Sequence, residues 1–141
     1  MAETKRSAGI RCLIVTPETT LLDASAGSVI LPLRDGQRGV GRGHAPFIAQ
    51  LGAGEVRLTM AEGSEAVHRV FIEGGFVEVG HDVVTVITQR AVPAEKLDLV
   101  RARADLAEVT GRAAAGDEAI DAKLRAQESA RAIVRIASRG R

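Results

Sequence analysis

The stretch EGGFVEVGHDVVTVIT, residues 73–88, decides how the rest of the chain is read. Two runs rich in β-branched residues, GGFVEV and VVTVIT, are joined by a glycine, a histidine and an aspartate. Branched side chains suit a pleated surface, and Gly and Asp suit a tight reversal, so the pattern is strand, turn, strand. Gly74 and Gly75 are expected to let Phe76 or a neighbouring strand pack closely, at a bulge or corner. Upstream, IRCLIVT, SVILPL, EVRLTMA and AVHRVFI repeat the theme, with AEGSEA (61–66) a second hairpin turn. In EVRLTMA, Val56, Leu58 and Met60 face one way, and Arg57 and Thr59 the other. Many short strands at near-regular spacing give a sandwich or a barrel.

Beyond residue 92 the period changes. Glycine thins out, Ala and Arg rise, and apolar residues fall at three- and four-residue steps. Pro93 fits a helix start, with Glu95 near its positive end. Leu99, Ala102, Leu106 and Val109 form one stripe. GRAAAGDEA (111–119) is a break, and Ala122, Ala126, Ala130, Ile133 and Ala137 form a second stripe. Two helices of roughly 17–19 residues, about 27 Å each, follow from these limits. Alanine stripes allow close approach but bury little area, so the pair is a marginal, detachable element. The expected organisation is a polar tail over 1–9, a β domain over 10–92 and a helical hairpin over 93–141.

Composition narrows the function classes. The net charge of +1 favours neither nucleic acid nor membrane as a direct partner. There are 3 phenylalanines and no Trp or Tyr, so base-stacking platforms are nearly excluded. The single cysteine, Cys12, lies inside an apolar run and reads as a small buried hydrophobe on the cytosolic side. The N-terminus lacks a secretion-signal core, and no run approaches the ~18 apolar residues of a membrane span.

The glycine-rich stretch GVGRGHAPF (39–47) invites a catalytic or nucleotide reading, and fails both tests. It lacks GxxxxGK[ST], and Pro46 leads into FIAQL, a strand-like run rather than a helix. Gly39, Gly41 and Gly43 are expected to supply positive φ or close approach, and Pro46 to fix the exit. His44 has no nucleophile placed beside it and no metal spacing to His68 or His81, so it is a loop anchor. No catalytic residue and no metal ligand is expected.

The order of these features resembles the epsilon subunit of the F-type ATP synthase. The markers are Gly36-Gln-Arg-Gly39-Val40, Gly43-His-Ala-Pro46, the segment EGGFVEV (73–79), VVTVIT and LDLVRA (97–102), and the resemblance covers about residues 10–137. It implies an α+β chain, an N-terminal antiparallel β-sandwich followed by a C-terminal antiparallel two-helix hairpin. It also implies a non-catalytic place on the rotor, bound to the gamma subunit and the ring of c subunits. The site is then the cytoplasmic face of the bacterial inner membrane, and the hairpin can extend toward the alpha/beta catalytic head and inhibit ATP hydrolysis. The resemblance implies that the loop from Asp35 to His44, with Gln37, Arg38 and His44, is the rotor contact, against gamma and the c-ring loops. Family members often carry an acidic and an apolar residue where this chain has Gln37 and Arg38, so its c-ring loops are expected to carry compensating charge. LDLVRA matches the family's nucleotide-associated pattern at Leu97, Asp98, Arg101 and Ala102, and Arg131 and Arg135 resemble phosphate-contacting arginines. No resident cofactor is implied; regulatory ATP is the one ligand to consider. The late basic run, Lys123 to Arg141, is a solvated helix end, or a basic face that meets acidic surface on the catalytic head or a nucleotide phosphate. The competing reading from another class is a free-standing nucleotide sensor whose helices close over its ligand. A nucleic-acid-binding barrel ranks third.

Overall fold

A computed structural model describes residues 9–60 and 67–139. The expected tail, apart from Gly9, the AEGSEA turn and Arg141 lie outside the described residues. Eight strands come first: β1 (Ile10–Val15), β2 (Thr20–Ala26), β3 (Ser28–Leu33), β4 (Gly36–Gly41), β5 (Phe47–Thr59), β6 (Val67–Gly80), β7 (Val83–Ile87) and β8 (Ala91–Pro93). A 3-10 turn (Ala94–Lys96) leads to α1 (Leu99–Thr110) and α2 (Asp117–Arg139). The sheet runs β2-β1-β7-β6-β5-β3-β4, with β8 also on β6. Its ladders are antiparallel except that between β1 and β7, which is parallel.

Several elements differ from the sequence expectation. EVRLTMA is only the end of the long β5, and AVHRVFI and GGFVEV fuse into the continuous β6. β5 and β6 keep one register from Phe47–Val79 to Thr59–Val67, yet the face they bury changes along the way. Near one end Val56, Leu58, Val70 and Ile72 enter the main core; near the other it is Leu51, Val77 and Val79. The core-facing positions thus pass from even to odd numbers, across Gly52, Gly54, Gly74 and Gly75. Gly75 has φ +113°, and a Cβ there would sit 2.0 Å from the Ile87 carbonyl oxygen. This corner bends one sheet so that residues from β1 to β7 close on a single core, a β-sandwich.

The helices also differ from their expected lengths. α1 has 12 residues and α2 has 23. Pro93 ends β8 and precedes the 3-10 turn, while α1 starts later because the Asp98 carboxylate caps it, accepting from the amides of Val100 (2.9 Å) and Arg101 (3.3 Å). Ala102 is buried, but Ala122 is exposed. α2 has a second buried row that the single-stripe reading missed. Ala132 and Ile136 of that row join Ala137 of the expected stripe, with Phe71 of β6 and Leu97, in a small second cluster, so the hairpin seam is built mainly by α2.

Candidate functional site

β3 and β4 form a hairpin whose turn is Arg34–Asp35, so the stretch read as a loop from Asp35 to His44 is largely a strand. Of the three glycines expected to need special geometry, Gly43 has φ +80°, while Gly39 and Gly41 have ordinary φ and open space around them. Their role in β4 is to pair with Ile30 and Ser28. The Gly43 amide donates to Asp82 Oδ1 at 2.7 Å, which ties this tip to the β6–β7 turn. That turn holds both His81 (φ 53°) and Asp82 (φ 62°) in left-handed geometry, as a two-residue hairpin requires. His44 Nδ1 donates to the Ala45 carbonyl at 2.8 Å, the backbone anchor the sequence indicated. The His44 ring lies 5.2 Å from that of Phe47, and the Arg38 guanidinium lies 5.0 Å from the same ring. Arg38 and His44 therefore converge on Phe47, with Gln37 exposed on β4 beside them.

The outer face of the sheet carries an apolar patch. Phe76 (53% exposed) is paired directly with Ile87 (54%), and Ile48 (74%) lies diagonally across on β5. Sequence reasoning found Phe76 through its glycines; Ile48 and Ile87 sit in ordinary strand patterns that say nothing of which face stays uncovered.

A cavity of about 330 Å³ lies where the sandwich meets the start of α1. Leu97, Asp98, Arg101 and Ala102 line it, together with Arg90, Lys96 and Ile133. Its three cations outnumber its two carboxylates, Asp98 and Asp105, so the lining carries a small excess of positive charge. Arg131 and Arg135 lie on the exposed side of α2 and do not line it. Asp98 serves as a cap rather than pairing with Arg101, which instead reaches Asp105 at 4.0 Å.

A charged cluster between sandwich and hairpin had no signal in the sequence. Glu55 of β5 is buried, and its carboxylate takes Arg69 Nε at 2.5 Å and Arg139 Nη1 at 3.0 Å. Arg69 also donates to the carbonyl of Ile136 at 2.9 Å. These partners are far apart in sequence, and Glu55 reads there as the polar edge of a strand.

Residues 9–94 match the family described as ATP synthase, Delta/Epsilon chain, beta-sandwich domain. The chain is 38% identical to the ATP synthase epsilon chain of a Synechococcus species over 130 residues, 90% of this chain and 92% of the relative. The chain belongs to the ATP synthase epsilon family. Among other epsilon chains, that of Rhodopirellula baltica is 50% identical over 99 residues, 70% of this chain and 75% of the relative. The fold of this epsilon-family chain also matches a chain of the Euglena gracilis mitochondrial ATP synthase assembly of OSCP, F1 and c-ring. That match has a TM-score of 0.78 at 21% identity, covering 96% of this chain and 83% of that one. Among its described residues no helix is long and apolar enough to cross a membrane.

Proposed function

We propose that this chain is the epsilon subunit of the central stalk of a rotary ATP synthase, with no active site of its own. It couples rotor to catalytic head and regulates ATP hydrolysis through its helices. Family membership supports this reading over a free-standing nucleotide sensor. The observation that carries the docking assignment is the uncovered trio of Ile48, Phe76 and Ile87, large apolar side chains set among Gln50 and Glu78 on the outer face of the sheet. That face fits the gamma subunit. The tip with Gln37, Arg38 and His44 fits the ring of c subunits, where an acidic loop would meet the Arg38 guanidinium. The hairpin is the part that reaches the alpha/beta head. Such an assembly holds the chain peripherally on the cytoplasmic face of the bacterial inner membrane. Replacing Phe76 and Ile87 together by Glu should abolish association with gamma-containing complex in a pull-down while leaving the thermal melt cooperative. Undiminished association would contradict the assignment.

The cavity at Asp98 supports a second element of the reading, regulatory ATP. Arg90, Lys96 and Arg101 would meet the phosphates, and Asp98 Oδ2, unused by the cap, would accept from the adenine amino group. Bound there, ATP favours the docked hairpin by its difference in affinity between the two states. Arg131 and Arg135 would join only after a local rearrangement. Calorimetric titration of the isolated chain should show saturable binding that is lost in Arg101→Ala. No binding up to millimolar ATP would remove this element and leave the stalk assignment untouched.

A further inference from the structure

The sandwich holds α2 at two chemically different places. Along most of the seam the contact is small: Ala132, Ile136 and Ala137 against Phe71 and Leu97. At the carboxy-terminal end it is ionic. Arg69 of β6 bridges the Glu55 carboxylate and the carbonyl of Ile136 in the last turns of α2, and Arg139 completes the carboxylate from the helix side. Arg57 stands nearby on β5, its Nε 3.8 Å from Glu55 and buried without a hydrogen-bond partner among the described residues.

We propose that Glu55 and Arg69 form a receptor on the sandwich for the carboxy-terminal end of α2, a latch that holds the hairpin docked and can open without stranding a buried charge. Breaking a buried ion pair is ordinarily costly because one partner is left uncompensated. Here the asymmetry removes that obstacle. The Glu55 side chain is only 5% exposed, but when α2 departs it keeps Arg69 and can draw in the neighbouring Arg57. Arg139 is already 48% exposed and returns to water at little cost. The Ile136 carbonyl, released by Arg69, is near a helix end where water can replace the donor. Three guanidiniums around one carboxylate also leave the docked cluster with surplus positive charge, which limits how tightly it closes. The latch therefore adds specificity of placement to a weak alanine seam and remains reversible. It depends on the chain's own residues alone and stands whether or not the stalk reading does.

The test is the labelling rate of an introduced thiol in the full chain. Ala132 is 1% exposed in the seam, so Ala132→Cys reacts with a thiol reagent only when α2 leaves the sandwich. Cys12, fully buried in the main core, reports global unfolding in the same sample. Adding Arg139→Ala should raise the labelling rate of the introduced seam thiol roughly three- to tenfold, the scale of one half-exposed charged hydrogen bond, with Cys12 labelling unchanged. Salt should speed seam labelling when Arg139 is intact and have much less effect in Arg139→Ala, and Arg139→Lys should fall between the two. Glu55→Gln should behave like Arg139→Ala; if it fails to fold, the Arg139 variants decide. An unchanged rate and an unchanged salt response in Arg139→Ala would overturn the proposal, as would a rise matched by Cys12.

Discussion

A Cβ on Gly75 would meet the Ile87 carbonyl oxygen at 2.0 Å, and its φ of +113° is one that side chains rarely adopt. Both facts come from one event, the turn of β6 from one buried face to the other. Gly75→Ala should therefore destabilise the fold by roughly 3 kcal/mol or more, from backbone strain plus the clash. Gly39→Ala, on β4 with nothing within 4 Å, should change stability by less than about 0.5 kcal/mol. Urea denaturation of the two variants checks the contrast, and equal losses would contradict the corner. The sequence marked both positions alike, since a glycine shows that a side chain is absent and not what surrounds it. Gly74–Gly75 was legible because its neighbours alternate strongly; Gly39 and Gly41 were misread as loop because a strand with glycines carries no alternation. Cys12 was read correctly from its apolar neighbours: it is fully buried, and burial pushes its thiol up to about 12.

At the scale of elements, the change from period two to period three or four located the junction between sandwich and hairpin. Where α1 begins was harder. Pro93 and Asp98 both carry the chemistry of a helix start, and the carboxylate that reaches two free amides decides for Asp98. The division of α2 into an α1-facing row and a sandwich-facing row was hidden because alanine marks both. Phe71 is the main apolar residue the sandwich lends to the hairpin, while the larger core lies wholly among the strands. A chain ending at Pro93 should thus melt cooperatively, below the full chain by the value of the small second cluster, a few kcal/mol at most. A broad, non-cooperative melt would show that the hairpin is part of the main folding unit.

For the whole molecule, the proposed docking surfaces rest on the family resemblance and on exposure in the fold, since no residue pattern in the strands marks them. Ile48 and Ile87 read like any strand residues, and Phe76 stood out only through its glycines; that Phe76 and Ile87 face outward follows from the glycine corner, which sets which side of β6 is buried. The molecule is then a sheet with exposed apolar side chains on its outer face, a basic tip at Arg38 and His44, and a hairpin held by a small seam and the Glu55 cluster. These parts suit a subunit that is fixed to a rotor by its sheet and signals through its helices. The most direct test is to purify the tagged full chain from its own cells in mild detergent and weigh the product by native mass spectrometry. One copy of this chain with the gamma subunit and the alpha/beta head at fixed stoichiometry is the expected product. Elution of the chain alone, from membranes that yield an intact synthase without it, would contradict the assignment.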